Sequence, residues 1–312
     1  MLNSGGLIPW LWLSLASSLL LGLYEVSRKA ALGRSAPFTV LLWANVGGLL
    51  GLGVSLLLAR NVGLAQDAAF YLVPLNRGQH AAVLVKAALV STSWMMSYSA
   101  VKHLPLTVAG PLRSVAPAFT VVGALLWFHE APSVVQWLGI GIIFAGYLGF
   151  ARLGKSEGIF YTTSPYVILL VAGTIVGAMS GLLDKHLLQR AHLQPTTLQF
   201  WFVVYTTLIQ VVLNLSVMAR QGRLAARPAW PASHVSWLSP LAGVLLVVAD
   251  QFYFRALAEQ GAMVSVVSMV RRSSVLVSFS VGAWLFREQL VQKKALALLV
   301  VLSGLLVLIT GK

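Results

Sequence analysis

Ten apolar runs follow one another along the chain, separated by polar joints. They cover 7–31, 37–58, 81–101, 107–128, 134–150, 165–188, 196–219, 237–257, 263–286 and 295–309. A bilayer core of about 30 Å takes roughly 20 apolar residues in helical form, so these runs are read as ten transmembrane helices. Most joints are short, which makes successive helices antiparallel neighbours. Two are longer, 59–79 and 220–236. The first has room for a short interfacial helix, and the second, with Pro228 and Pro231, reads as irregular.

A shift of 158 residues lays the chain on itself without a gap over most of its length. Pro37 then meets Pro195, Trp43 meets Trp201, Arg113 meets Arg271, Phe128 meets Phe286, Glu130 meets Glu288 and Gly146 meets Gly304. An arginine inside an apolar run and a glutamate closing one are rare, and both recur at the same offset. The expected domains are therefore a first five-helix repeat over 1–155 and a second over 156–312. Five is odd, so the halves must insert with opposite orientation. The fold class expected is an all-α membrane protein of ten transmembrane helices in two inverted repeats. Repeats of this kind characterise secondary transporters, with the substrate site near the midplane where the repeats meet.

Composition narrows the function. Only 10% of residues are charged and 58% are apolar, with a mean hydropathy of +0.84, whereas soluble domains carry about 25% charged residues. The net charge of +14 sits mostly in short joints and at helix ends. Membrane topology and anionic lipid explain it better than nucleic acid does. There is no cysteine, which excludes disulfides, thiolate metal sites and cysteine nucleophiles. The histidines are scattered, and His129–Glu130 lacks a second histidine four residues on. An enzyme is set aside, and no metal or cofactor is implied. No cleavable signal peptide is expected, because Met1 to Ser4 lack a positive n-region.

The charges inside apolar runs are the candidate chemistry. An arginine at the centre of a membrane helix costs about 2.5–3.5 kcal/mol on insertion scales. Arg113 lies inside the fourth run, and Arg271 and Arg272 inside the ninth. A guanidinium binds phosphate or carboxylate through two parallel hydrogen bonds. Two readings stand: the three arginines form a site for an anionic group, or they pair structurally with Glu25, Asp184 or Asp250. Asp250, with Gln251 and Tyr253 nearby, reads as a proton carrier, as a counter-ion or as a substrate contact. Glu25 beside Arg28 and Lys29, and Asp184 beside Lys185 and His186, occupy roughly equivalent places in the halves. They line a vestibule or act as gates, or their basic neighbours snorkel to the interface. The substrate-binding set is Arg113, Arg271, Arg272, Asp250, Tyr253, Lys185, Arg28 and Tyr98; the coupling or gating set is Asp250, Glu25 and Asp184.

Other positions read as structural. Glu130 and Glu288 each precede a turn and are expected to cap the next helix. Gly173, Gly177 and Gly181, and Gly47 and Gly51, mark close helix packing. Trp43, Trp201, Tyr24, Tyr98 and Tyr253 are cavity aromatics or belt residues.

The segments "GALLWFHEAPSVVQWLGIGIIFAG" and "GAWLFREQLVQKKALALLVVLSG" close the two halves. They resemble EamA-type members of the drug/metabolite transporter superfamily over both halves, which implies a ten-helix carrier and is silent on substrate. A second likeness is confined to two helices. "PLRSVAPAFTVVGALLWFHE" and "SMVRRSSVLVS" resemble the fourth and ninth helices of plastid triose-phosphate translocators. That resemblance implies that Arg113, Arg271 and Arg272 hold a substrate phosphate. Arginine replaces the lysines of that family, and Ala116 stands where it has an acidic residue.

The superfamily usually places both termini in the cytoplasm. Charge counting places them outside: Arg34, Lys102, Arg152, Lys155, Arg220, Arg223, Arg227, Arg287, Lys293 and Lys294 fall on one side, against Arg60, Arg77, Lys86, Arg190, Arg255 and Lys312 on the other. The function expected is a secondary active transporter in the cell (inner) membrane, moving a small phosphate- or carboxylate-bearing metabolite by alternating access, as an antiporter. The alternatives are a proton-coupled exporter of amino acids, zwitterions or amphipathic drugs, or a flippase of a lipid-linked phosphate. Its partners are the anionic substrate and the bilayer, as monomer or homodimer, without nucleic acid.

Overall fold

The computed structural model describes residues 9–33, 35–61, 72–114, 116, 119, 133–156, 163–220, 236–259, 267, 270–288 and 290–310. Among them lie ten α-helices: α1 Pro9–Leu32, α2 Pro37–Asn61, α3 Arg77–His103, α4 Leu106–Ser114, α5 Val134–Ser156, α6 Pro165–Lys185, α7 Pro195–Arg220, α8 Leu238–Ala258, α9 Ser274–Leu285 and α10 Val291–Thr310. Six of these, α1, α2, α3, α6, α7 and α8, are long and apolar enough to cross a membrane. The expected fourth and ninth runs, and both long joints, fall partly or largely outside the described residues.

Local chemistry accounts for the helix starts. Pro9, Pro37, Pro165 and Pro195 each open a helix, where proline's missing N–H costs nothing and its φ suits the helix. Helix α3 starts at Arg77, four residues before the expected 81. Asn76 and Gln79 there form a capping box: Asn76 Oδ1 accepts from the Gln79 amide at 2.9 Å, and Gln79 Oε1 from the Asn76 amide at 3.0 Å. Pro105 breaks the chain between α3 and α4. A π-helical turn, His186–Arg190, closes α6.

Packing links the first five helices to the last five throughout. Helix α1 lies on α8, α3 on α6, α2 on α7 and α8, α4 on α9, and α5 on α10. Small residues bring the backbones close. Gly243 faces the Ala44 carbonyl, so that a methyl group there would overlap it. In the α5–α10 pair a methyl on Gly146 would come 2.6 Å from Val301 Cγ2, and one on Gly304 would come 2.7 Å from the Ile143 amide nitrogen. Gly149 faces Ala297 in the same pair, so the two helices run antiparallel. Of the glycine series read from the sequence, Gly173 and Gly177 pack on Ser93, Gly47 on Pro240 and Gly51 on Val244, while Gly181 faces open space.

Three apolar clusters result, the smallest of Leu21, Tyr24, Ala242 and Ala249; the other two are larger. One gathers Ala31, Tyr98, Leu112, Ile143, Val275 and Val301; the other gathers Trp10, Val83, Phe202, Val247, Tyr253 and Val267. The outer surface is apolar as well, with Leu50, Leu57, Leu148, Val212, Trp284 and Leu299 exposed. An exterior of this kind suits lipid and would be unusual in water.

Candidate functional site

The charged side chains converge among these apolar clusters, which contribute Tyr24, Tyr98 and Tyr253. On α1, Arg28 stands one turn on from Tyr24 and Glu25; Tyr24 and Arg28 meet Tyr98 of α3, and Glu25 meets Arg113 of α4. Glu25 bridges two guanidiniums, taking Arg28 on Oε2 and Arg113 of α4 on Oε1. The Arg28 guanidinium lies 5.3 Å from the Tyr24 ring centre and 4.9 Å from that of Tyr98. The two tyrosine hydroxyls share a hydrogen bond of 3.0 Å. Cation–π contact makes this a favourable seat for a desolvated arginine. Arg28 is fully buried, and its Nε and Nη1 have no hydrogen-bond acceptor among the described residues. The Arg28 guanidinium thus lies inside the bundle against Glu25 and the two tyrosines instead of extending to the surface.

The second half supplies a matching pair. Arg271, just ahead of α9, donates to Asp250 Oδ1 and sits 4.1 Å over the ring of Tyr253, one turn along α8 from that aspartate. Asp184 of α6 pairs with Lys86 of α3, whose Nζ is 2.5 Å from Oδ1. Lys86 also lies 4.4 Å from the Phe202 ring centre and 5.5 Å from that of Phe254. The pairs form one cluster, because Asp184 is in electrostatic reach of Asp250 and Arg271. Arg272 stands among Arg113, Arg271, Tyr253 and Glu25. It is partly buried and forms no ion pair with the described carboxylates.

Burial sorts the cations. Arg28 and Lys86 are buried, while the Arg113 and Arg271 side chains keep 21% and 16% exposure. In all, five cationic side chains, Arg28, Lys86, Arg113, Arg271 and Arg272, meet three carboxylates, Glu25, Asp184 and Asp250. The described cluster carries an excess of two positive charges.

A cavity of about 20 Å³ adjoins the cluster, room for about one water. Asn45 of α2, Trp94 and Tyr98 of α3, Phe202 and Thr206 of α7, and Asp250 of α8 line it. Tyr98 and Asp250 belong to the two ion-pair networks, so the cavity runs between them.

The structure thus brings Arg28, Glu25, Tyr98 and Arg113 together, joins Asp250, Tyr253 and Arg271, and sets Asp184 and Arg272 beside them. The Lys185 side chain lies outside the described part. Tyr24 and Tyr98 sit in the cluster, whereas Trp201 packs elsewhere, edge-on to His80 with ring centres 4.6 Å apart.

Three sequence readings need correction. Lys86 and Lys294 were counted as joint cations, yet both are buried, so neither bears on topology. For Lys86 the signal was present: it lies inside the third apolar run, where a charge demands a partner. Glu288 caps α4, not the α10 that follows it in sequence. It accepts from the Leu106 amide at 2.6 Å, the Thr107 amide at 2.8 Å and the Thr107 hydroxyl. Lys294 Nζ donates to the same hydroxyl at 3.0 Å. The turn that aims Glu288 across the bundle has Arg287 and Leu290 at φ 49° and 52°, the left-handed region that side chains rarely adopt. Glu130, expected to act likewise, lies outside the described residues.

Residues 8–152 match the family model of the EamA-like transporter family. Over those residues, a little under half of the chain, the sequence is similar to EamA-like transporters. The probable 4-amino-4-deoxy-L-arabinose-phosphoundecaprenol flippase subunit ArnE of Aeromonas hydrophila subsp. hydrophila is 43% identical over 47 residues, 15% of this chain. The chain spans 41% of that relative's length. A solved crystal structure superposes over 96% of this chain and 95% of its own, with a TM-score of 0.62 and 17% identity, a likeness of fold. The apolar helices are those of a multi-pass membrane protein, and the match over residues 8–152 is a similarity to a transporter family.

Proposed function

We propose that the protein is a secondary transporter of a small organic anion, bearing phosphate or carboxylate, and that Arg113, Arg271 and Arg272 grip the anionic group. The observation that carries this reading is the charge excess, with Arg272 unmatched between two arginines that retain some exposure. A net positive cluster inside a membrane protein is costly unless an anion offsets it. In the empty state Glu25 neutralises Arg113 and Asp250 neutralises Arg271. An entering anion competes with both carboxylates and bridges the halves. Its departure lets the internal pairs re-form. The halves 1–155 and 156–312 then rock about the cluster as inverted repeats. Antiparallel packing of the equivalent helices α5 and α10 supports the inversion, as does the exchange of partners in α1 on α8 and α6 on α3.

The test is exchange in proteoliposomes loaded with inorganic phosphate, against external labelled phosphate and succinate. Arg272→Gln is expected to abolish exchange while leaving thermal stability near wild type, since Arg272 has no described ion pair. Wild-type rates in that variant, or no exchange of either anion by the parent protein, would overturn the reading.

A second reading keeps the arginines and changes the cargo to a lipid-linked phosphate. The similarity to a protein named as a flippase subunit favours it. Exposure of a lipid-borne phosphate on the opposite leaflet, measured in the same vesicles, separates the two.

A further inference from the structure

We propose that Glu288, Lys294 and Lys29 form a latch on the α3–α4 joint, and that one membrane face of the bundle opens only when the Glu288 carboxylate leaves that joint. This rests on the rocking of the halves described above, not on the identity of the cargo.

The ends of α1, α3 and α9 and the starts of α4 and α10 meet at this face. Glu288 belongs to the second half and accepts from the Leu106 and Thr107 amides of the first, at 2.6 and 2.8 Å. Lys294, fully buried, donates to the Thr107 hydroxyl at 3.0 Å. From the first half, Lys29 Nζ donates to the Val101 and Leu104 carbonyls, each at 2.7 Å, and stands within electrostatic reach of Glu288. A carboxylate thus takes the free amides at the start of α4, and an ammonium takes the free carbonyls at the end of α3. Leu106 is itself fully buried against Gly282 of α9, where a methyl would come 2.8 Å from its Cδ2. The seam between α4 and α9 is thereby closed at this end.

Three features suit a contact that breaks over a permanent joint. An ordinary cap comes from the residue just ahead of its own helix. This one spans 181 and 182 positions and crosses between the halves, so the halves cannot part here without breaking it. The turn that presents Glu288 is held in left-handed backbone at Arg287 and Leu290, with φ 49° and 52°. Such backbone persists only where its surroundings over-determine it, and it clusters in switch regions; release of Glu288 lets the turn relax. Pro111 lies inside α4 and, having no N–H, leaves the Thr107 carbonyl without its helical donor. The first turn of α4 can therefore swing on the part of the helix that bears Arg113. The repeat adds an asymmetry. At the 158-residue shift Glu130 matches Glu288 and Ser265 matches Thr107, whereas Leu187 matches Lys29 and Gln136 matches Lys294. The two ammonium groups have no counterpart in the other repeat, and they bias the resting protein toward closure at this face.

The chain has no cysteine, so a single thiol can report on the seam. Ser278 is buried on α9 against Gly110 of α4. In proteoliposomes, the rate at which Ser278→Cys reacts with a membrane-impermeant methanethiosulfonate measures opening of the seam. With the latch intact the reaction should be slow. Adding Glu288→Gln should speed it about tenfold, the scale of losing hydrogen bonds to a charged group, and Lys294→Gln should speed it less. A cap with no gating role would lower the melting temperature and leave the labelling rate where it was. The pair Leu106→Cys and Gly282→Cys keeps Glu288 and both lysines and tests the reverse. Leu106 Cβ lies 3.2 Å from a Cβ placed on Gly282, close enough for a disulfide. Oxidation with diamide should trap the closed face and stop phosphate exchange, and dithiothreitol should restore it. Fast labelling with the latch intact, labelling unchanged by Glu288→Gln and Lys294→Gln, or full exchange by the oxidised pair would overturn the latch. Labelling that depends on the latch, in a protein that exchanges no phosphate, would overturn the anion reading and leave the latch standing.

Discussion

Arg271 and Asp250 allow the structural and functional roles of an intramembrane arginine to be separated. Their side chains are 16% and 11% exposed and bonded to each other. Removing one member of a buried pair strands the other and costs about 3–5 kcal/mol. Partial exposure sets each single change, Arg271→Gln or Asp250→Asn, at the low end, about 3 kcal/mol. The double change strands no charge in this pair and recovers most of that loss. It still forfeits the Arg271–Tyr253 contact at 4.1 Å, about 1 kcal/mol for a largely desolvated cation–π pair. The double variant should therefore lie about 1 kcal/mol below wild type, with a coupling free energy of several kcal/mol between the two sites, above the usual range of about 0.5–3 kcal/mol. Thermal unfolding of the four proteins in one detergent gives the order: wild type, then the double variant, then both singles. Phosphate exchange gives the second readout, in which the double variant, though stable, should be inactive. Additive losses would refute the ion-pair reasoning. A stable double variant that exchanges phosphate at the wild-type rate would refute the role of Arg271 as an anion ligand.

Other consequences follow from the packing. Lys86→Met should cost about 3 kcal/mol or more by stranding Asp184, and adding Asp184→Asn should restore most of it in the same melts. Glu288→Gln removes the charge at the start of α4 and should destabilise by about 1–2 kcal/mol. Hydrogen exchange locates the effect: the Leu106 and Thr107 amides should exchange faster, and acceleration at the start of α10 instead would mean that the cap had been misassigned. Gly243→Ala drives a methyl into the Ala44 carbonyl and should cost at least about 1–3 kcal/mol by overpacking α2 on α8, seen as a lowered melting temperature.

The helices and the arginines were legible in the chain because both signals are local. An apolar run declares its length without reference to any partner. A guanidinium inside one is rare enough to demand a function or a counter-charge. The choice between those two was not legible. Glu25 meets Arg113 across 88 positions, and Asp250 meets Arg271 across 21. No spacing rule predicts such contacts, because helix packing creates them. The same distance effect explains Lys86, whose partner is on α6, and Glu288, which caps the helix nearest in space.

By itself the sequence determined that the chain forms apolar helices, several long enough to cross a bilayer, and that charges lie inside apolar runs. Hydrophobic transfer and helical period act residue by residue, which is why those conclusions need no coordinates. Tertiary structure alone decided that the charges form one cluster, that three carboxylates are paired within it, and that a small cavity adjoins it. Electrostatic balance and hydrogen-bond satisfaction belong to groups in contact, and contact is a property of the folded bundle.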